Sequence, residues 1–200
     1  NTGGNTTTNP SSGTMVGSVS NGTWSSTCDT SWIDPSKPMV AFTFDDGPVG
    51  TASNATSIRI QNALTKNGYH ATFFYWGQKI NGSNSAEIKR AFDAGFEIGN
   101  HTYSHPYLTN LSASGVQSEI NQTKTILNGI VGNGDFLVRP PYLSVNGTVQ
   151  SAAGVPLINC GIDTEDWNNA SKDAIVNKLK SAMQNGSLNK QVVLMHETYE

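Results

Sequence analysis

The sequence predicts an α/β domain built on parallel strands, and three observations carry that expectation. From Met39 onward, short apolar runs of strand length alternate with amphipathic stretches of helix length. Strands alternating with helices mean parallel βα units, arranged as a doubly wound sheet or a barrel. Most of the ionisable residues of interest fall just past the C-terminal ends of the apolar runs, the edge at which active sites of parallel α/β folds assemble.

The apolar runs span 39–44, 71–76, 96–98, 136–138, 156–160 and 192–195. Between them, 54–67 carries Ile60, Ala63 and Leu64 and stops at Asn67-Gly68, and 84–94 stops at Gly95, as helices do. Residues 114–130 place Val116, Ile120, Thr123, Leu127 and Ile130 three and four apart, along one helical face. Residues 172–184 follow Ser171 as N-cap, with Asp173 in the first turn where the helix dipole favours a carboxylate. Ahead of the first run, residues 21–38 with Trp24 and Trp32 read as a loop-rich lead-in packed onto the domain. Residues 1–20 are rich in Gly, Thr and Ser without apolar periodicity, so they read as a flexible polar linker to a further module. The expected organisation is a linker over 1–20 and one catalytic domain over 21–200.

Two hundred residues suit one domain with a sizeable core. Only 14% of residues are charged and 36% hydrophobic, the balance being Asn, Ser, Thr and Gly. That neutral hydrogen-bonding character suits a secreted, extracellular protein acting on sugars. The opening Asn1-Thr2-Gly3-Gly4 has neither the charged start nor the apolar core of a signal peptide, so secretion rests on composition. A net charge of −3 argues against a nucleic-acid partner, and no apolar run approaches the ~20 residues needed to cross a bilayer. Cys28 and Cys160 could form one disulfide, but Cys160 inside an apolar run reads more simply as a small buried residue.

Asp45-Asp46 end the first run, His101 and His105 follow the third, and Arg139 follows the fourth. Asp163 and Asp166 follow the fifth, and His196 ends the last. A bare Asp-Asp-Gly is as readily a capped turn as a site. Two imidazoles four residues apart lie on one face of a helical turn and can share an ion. Joined to a carboxylate from another strand end, they make an Asp/His/His set with open positions for water, the arrangement of a hydrolytic metal centre. Pro140-Pro141 stiffen the segment after Arg139. His70 opens a strand with nothing catalytic around it, and reads as structural.

Five segments in order resemble the five motifs of the polysaccharide deacetylases, the family 4 carbohydrate esterases. They are Thr43-Phe44-Asp45-Asp46-Gly47-Pro48, His101 to Pro106, Arg139 to Tyr142, Asp163-Thr164-Glu165-Asp166-Trp167, and Leu194-Met195-His196. The resemblance implies a distorted parallel (β/α) barrel and one divalent metal ion, zinc, cobalt or similar, held by Asp46, His101 and His105. It implies Asp45 as the general base toward the attacking water, held charged and oriented by Arg139. The backbone N–H of Tyr142 would share the oxyanion, and His196, paired with Asp166, would be the general acid. Trp167 and Leu194 would wall a small pocket for the acetyl methyl. Glu197 stands where members often carry Asp. The family usually continues past its fifth motif with a helix and a final strand, so with Glu200 the last residue here the barrel either lacks them or closes differently.

The implied activity is removal of acetyl groups from a polysaccharide, either O-deacetylation of acetylated xylan or N-deacetylation of N-acetylglucosamine in peptidoglycan or chitin. The polar linker favours xylan, since multi-part wall-degrading enzymes string modules on such linkers. A monomeric domain is expected. A non-catalytic sugar-binding module is the contrasting reading, and the presence of every ligand, base and acid position argues against it.

Overall fold

The first long strand grows from Val40-Ala41-Phe42-Thr43-Phe44, where β-branched and aromatic side chains suit a pleated, covered surface. The computed structural model describes residues 18–20, 23–25 and 31–199. Cys28 and residues 1–17 lie outside them, and with them the disulfide and most of the expected linker. In chain order the elements are β1 (Ser18–Ser20), β2 (Thr23–Ser25), β3 (Val40–Gly47), α1 (Thr56–Lys66), β4 (Thr72–Tyr75), α2 (Ser85–Asp93), β5 (Glu97–Asn100), α3 (Ala113–Val131), α4 (Gly147–Ala153), β6 (Ile162–Asp163), α5 (Lys172–Gln184) and β7 (Gln191–His196). The β1–β2 pair is a small antiparallel ladder that starts inside the stretch read as linker.

The main sheet is wholly parallel, in the order β5-β4-β3-β7-β6. Beyond β5, Asn100 bridges Val138 and Val138 bridges Leu157, again in parallel. The chain then runs directly from Leu157 to β6, bonding Val138 at its start (Ile158 N–H to Val138 O, 2.8 Å) and β7 at its end (Gly161 N–H to Val192 O, 2.9 Å). One segment thus joins both margins of the sheet, and the sheet curls into a distorted barrel. β7 is paired on both sides, by β3 and by β6.

Two expected strands are cut down by this closure. The runs 136–138 and 156–160 survive only as the bridges at Val138 and Leu157, and the regular pairing falls later, at Ile162–Asp163. Pro156 has no N–H to give, and a segment crossing from one margin to the other has too few residues for a ladder on each side. The short helix α4 was not anticipated from periodicity. It is set by its ends: the Asn146 side chain accepts from Val149 N–H at 2.9 Å, and Gly154 closes it at φ 68°. Ser112 and Ser171 cap α3 and α5 in the same way.

Register sorts the side chains into two layers. Phe44, Phe73 and Ile98 share a row across β3, β4 and β5, and with Met195 they face the helices, packing on Ile88, Leu127 and Phe136. A second cluster, Leu108, Val116, Ile120, Val138 and Val149, seals α3 and α4 against the barrel. One residue on, His196, Asp45, Phe74 and Gly99 form a row on the opposite face, inside the barrel. Gly99 is required there, because a Cβ would run into the Phe74 ring. Arg139, fully buried, crosses this interior with its guanidinium 4.4 Å from the Phe74 ring centroid.

Candidate active site

The inward row puts Asp45 beneath Arg139. Nη1 of Arg139 donates to Asp45 Oδ1 at 2.9 Å and to Thr43 Oγ1 at 2.6 Å, while Nε and Nη2 donate to the Ile158 and Asn159 carbonyls at 3.4 and 3.3 Å. A buried guanidinium with this many acceptors is a satisfied charge. It ties the strand carrying Asp45 to the segment that closes the barrel. The second carboxylate oxygen, Oδ2, stays turned toward His101, 3.8 Å from its Nε2.

Asp46 is the next residue in the same strand, and in regular pleating its side chain would point to the helix layer. The pairing with β4 slips between Asp45 and Gly47, and Asp46 takes φ 69°. This bulge re-aims the Asp46 carboxylate to the rim. There Oδ1 lies 3.4 Å from Nε2 of His101 and 3.3 Å from Nε2 of His105, and the two Nε2 atoms are 3.2 Å apart. Among the described residues, these three form a group whose ligand atoms lie within 4.8 Å of one another.

The imidazoles are oriented from behind. His101 Nδ1 donates to the Arg139 carbonyl at 2.7 Å, and His105 Nδ1 lies 3.2 Å from the Tyr142 hydroxyl. With Nδ1 as the donor, each Nε2 turns a lone pair toward the other and toward Asp46. Asp46 Oδ1 is buried and makes no hydrogen bond. Two lone pairs and a carboxylate oxygen converging without a donor fit a divalent cation, and two-imidazole, one-carboxylate sets suit zinc or cobalt. Burial raises the Asp46 pKa, and only imidazoles protonated at Nε2, in place of a bound cation, would outweigh it and hold the carboxyl far below the usual range.

The histidine loop is not the helical turn that the four-residue spacing suggests. Thr102 and His105 both adopt left-handed backbone, φ 66° and 61°. Glu119 of α3 holds the loop: its carboxylate accepts from Tyr103 N–H (2.9 Å), Ser104 N–H (2.7 Å) and Ser104 Oγ (2.6 Å). Asn100 adds a bond from Thr102 N–H at 2.9 Å. Sequence reading missed Glu119, which looks like any exposed helix acid and lies 14 residues beyond His105. Asp46, Thr102, His105, Tyr142, Leu143 and Glu165, six of the eight non-glycine residues with positive φ among the described residues, follow strand ends at this rim.

Across the rim, His196 ends β7 beside Asp166. Asp166 Oδ1 accepts from His196 Nδ1 and Oδ2 accepts from His196 N–H, both at 2.7 Å. Burial would lower the His196 pKa, and Asp166 overrides it, so the imidazole titrates above its ordinary value. Trp167 is half exposed, its indole N–H donating to Asp163 Oδ2 at 3.2 Å. Leu194 is buried in the register row between Thr43 and Asp163. His70 lies apart from the site, stacked on Trp32 with ring centroids 4.2 Å apart. Among the described residues Cys160 has no disulfide partner, and it is partly rather than fully buried.

Glu197 is a second finding beyond the motifs. Its backbone N–H donates to the Asp45 carbonyl at 2.9 Å, and its side chain is wholly buried with neither oxygen hydrogen-bonded. A Cβ on Gly47 would collide with it. Burial first, and the neighbouring Glu87 second, push its pKa well above the carboxylate range, so it is held neutral. Glu87 in turn accepts from Gly50 N–H at 2.7 Å.

The Polysaccharide deacetylase family model matches residues 33–157. The peptidoglycan-N-acetylmuramic acid deacetylase PdaC of Bacillus subtilis is 35% identical over 84% of this chain and 34% of its own length. A bifunctional xylanase/xylan deacetylase of Cellvibrio japonicus is 35% identical over 79% of this chain and 23% of its length. The chain therefore spans about a third or less of these relatives. A family 4 carbohydrate esterase from Streptomyces lividans, solved in complex with acetate, superposes with a TM-score of 0.68 at 37% identity, covering 80% of this chain and 79% of that one. The family match spans β3 to β5, the Asp/His/His rim and the buried Arg139 alike: the chain belongs to the polysaccharide deacetylase family.

Proposed function

We propose that the chain removes acetyl groups from acetylated xylan by metal-dependent hydrolysis, with Asp46, His101 and His105 as ligands. The observation that carries the deacetylase reading, for ester or amide, is the convergence of two imidazole lone pairs and an unsatisfied carboxylate between a clamped acid, Asp45, and a carboxylate-paired imidazole, His196. A divalent ion there supplies Lewis acidity, polarising the acetyl carbonyl and easing deprotonation of water near neutral pH.

The chain's own groups divide the remaining work. Asp45 Oδ1 is fixed by Arg139, which leaves Oδ2 to take the proton from the attacking water. The backbone N–H of Tyr142 donates to the developing oxyanion, in a turn stiffened by Pro140 and Pro141. His196, with Nδ1 engaged by Asp166, delivers the Nε2 proton to the leaving sugar oxygen. Trp167 and Leu194 wall the acetyl methyl and exclude water from it.

The same groups serve an amide, which gives the second reading, N-deacetylation of N-acetylglucosamine in peptidoglycan or chitin; PdaC, a peptidoglycan deacetylase by name, favours amide chemistry. Acetate release from acetylated xylan, measured beside release from N-acetylglucosamine oligomers, separates the two. Turnover of xylan is expected to exceed turnover of the oligomers; release from the oligomers alone sinks the xylan reading and leaves the amide one. The enzyme is expected outside the cell, joined to further modules.

A further inference from the structure

We infer that Tyr107, stacked on Tyr142 beside the metal-ligand loop, is a platform for a second sugar ring, so that the site grips a polysaccharide chain rather than a single acetylated unit. The inference rests on the deacetylase reading and extends it to subsites. The Tyr107 and Tyr142 rings are nearly parallel, centroids 4.0 Å apart at 14°. Tyr142 meets His105 edge-on at 4.9 Å, and Trp76 stacks on His105 from 4.5 Å. Aromatic rings therefore run without a break from a metal ligand out to solvent.

At the outer end the tyrosines are 52% and 56% exposed, so each keeps open surface although the two rings are in contact. A stack that only braced His105 would need Tyr142 alone, since the Tyr142 hydroxyl makes the 3.2 Å contact to the imidazole. Tyr107 adds a flat apolar face and no further hydrogen bond to the loop. A pyranose ring presents an apolar face of axial C–H groups with hydroxyls around its edge, which matches an amphipathic aromatic with a wet rim. The position also fits a chain. His196 ends β7 paired with Asp45 of β3, whereas Tyr142 and then Tyr107 stack outward from His105. A chain crossing the metal ligands between His196 and these rings sets the reacting sugar at the centre and its neighbour over Tyr107.

The test is acetate release by the wild type, Tyr107→Phe and Tyr107→Ala on two series of one to six sugars, acetylated xylo-oligosaccharides and N-acetylglucosamine oligomers. The wild type is expected to show a KM that falls with length on whichever series it turns over. Tyr107→Ala raises KM for the longer members by about tenfold, which is about 1.4 kcal/mol, with kcat within about twofold; Tyr107→Phe keeps the wild-type pattern. Wild-type length dependence in Tyr107→Ala overturns the platform while leaving the deacetylase reading intact. A fall in kcat or in zinc affinity by calorimetry, without the KM change, makes Tyr107 a brace for His105 and likewise overturns it. Acetate release from neither series defeats the deacetylase reading, and the platform with it.

Discussion

At Asp45 one carboxylate oxygen is held 2.9 Å from Arg139, while Asp46, one residue on, turns its buried oxygen to two imidazoles. The same side chain thus has two environments, separated by one bulge. Asp45→Asn leaves the three ligand atoms in place and removes the proton acceptor. Zinc affinity by calorimetry should stay near the wild-type value, while kcat falls about a hundred- to ten-thousand-fold. Asp46→Asn should instead weaken zinc binding, and a variant that still bound zinc normally would take Asp46 out of the ligand set. Asp166 is expected to control the alkaline limb of the rate. Its carboxylate outweighs burial and raises the His196 pKa, keeping the acid protonated above its ordinary range. Asp166→Asn therefore moves the alkaline fall in kcat/KM to lower pH. The sign is the same for stability: the raised folded pKa contributes fully below about 6.5 and is lost as pH rises through the higher folded value.

Among the elements, α3 and the β3 terminus do more than fill the core. Glu119 binds the two amides between the ligand histidines from a separate helix, so α3 sets the shape of the loop. Glu119→Ala should weaken zinc binding by about tenfold or more, the usual cost of losing a group that orients ligands. Glu119→Gln, which keeps one acceptor oxygen, should recover part of it. At the β3 terminus, Glu197 lies against Gly47 and is held neutral by burial and by Glu87. Its raised pKa means that this contribution is present below about 4.5 and is lost as pH rises through the folded value. Urea unfolding across pH 5–9 should show Glu197→Gln losing less stability on the alkaline side than the wild type. Equal slopes would show that Glu197 is already ionised in the fold.

For the whole molecule, the strand ends were readable because the chemistry sits on short apolar runs whose boundaries are abrupt. Asp45, His101, Arg139, Asp166 and His196, scattered over more than 150 residues, do gather on one rim. The residue pattern alone left sheet or barrel open, since single bridges at Val138 and Leu157 leave no period in the sequence, and the five-motif resemblance supplied the barrel. Helix α4 was not readable, since its seven residues are too few for a helical repeat and are defined by an Asn cap and a terminal glycine. The bulge at Asp46 and the left-handed backbone at Thr102 and His105 have no local signature either, because contacts from β4, α3 and Arg139 impose them. Residue identity therefore marked the site, while tertiary contacts decided which way each side chain points. The most direct measurement is acetate release from acetylated xylan and N-acetylglucosamine oligomers before chelation, after it, and after zinc or cobalt is added back. The metal centre predicts loss to the uncatalysed level and recovery with the ion. A rate indifferent to the chelator would contradict it.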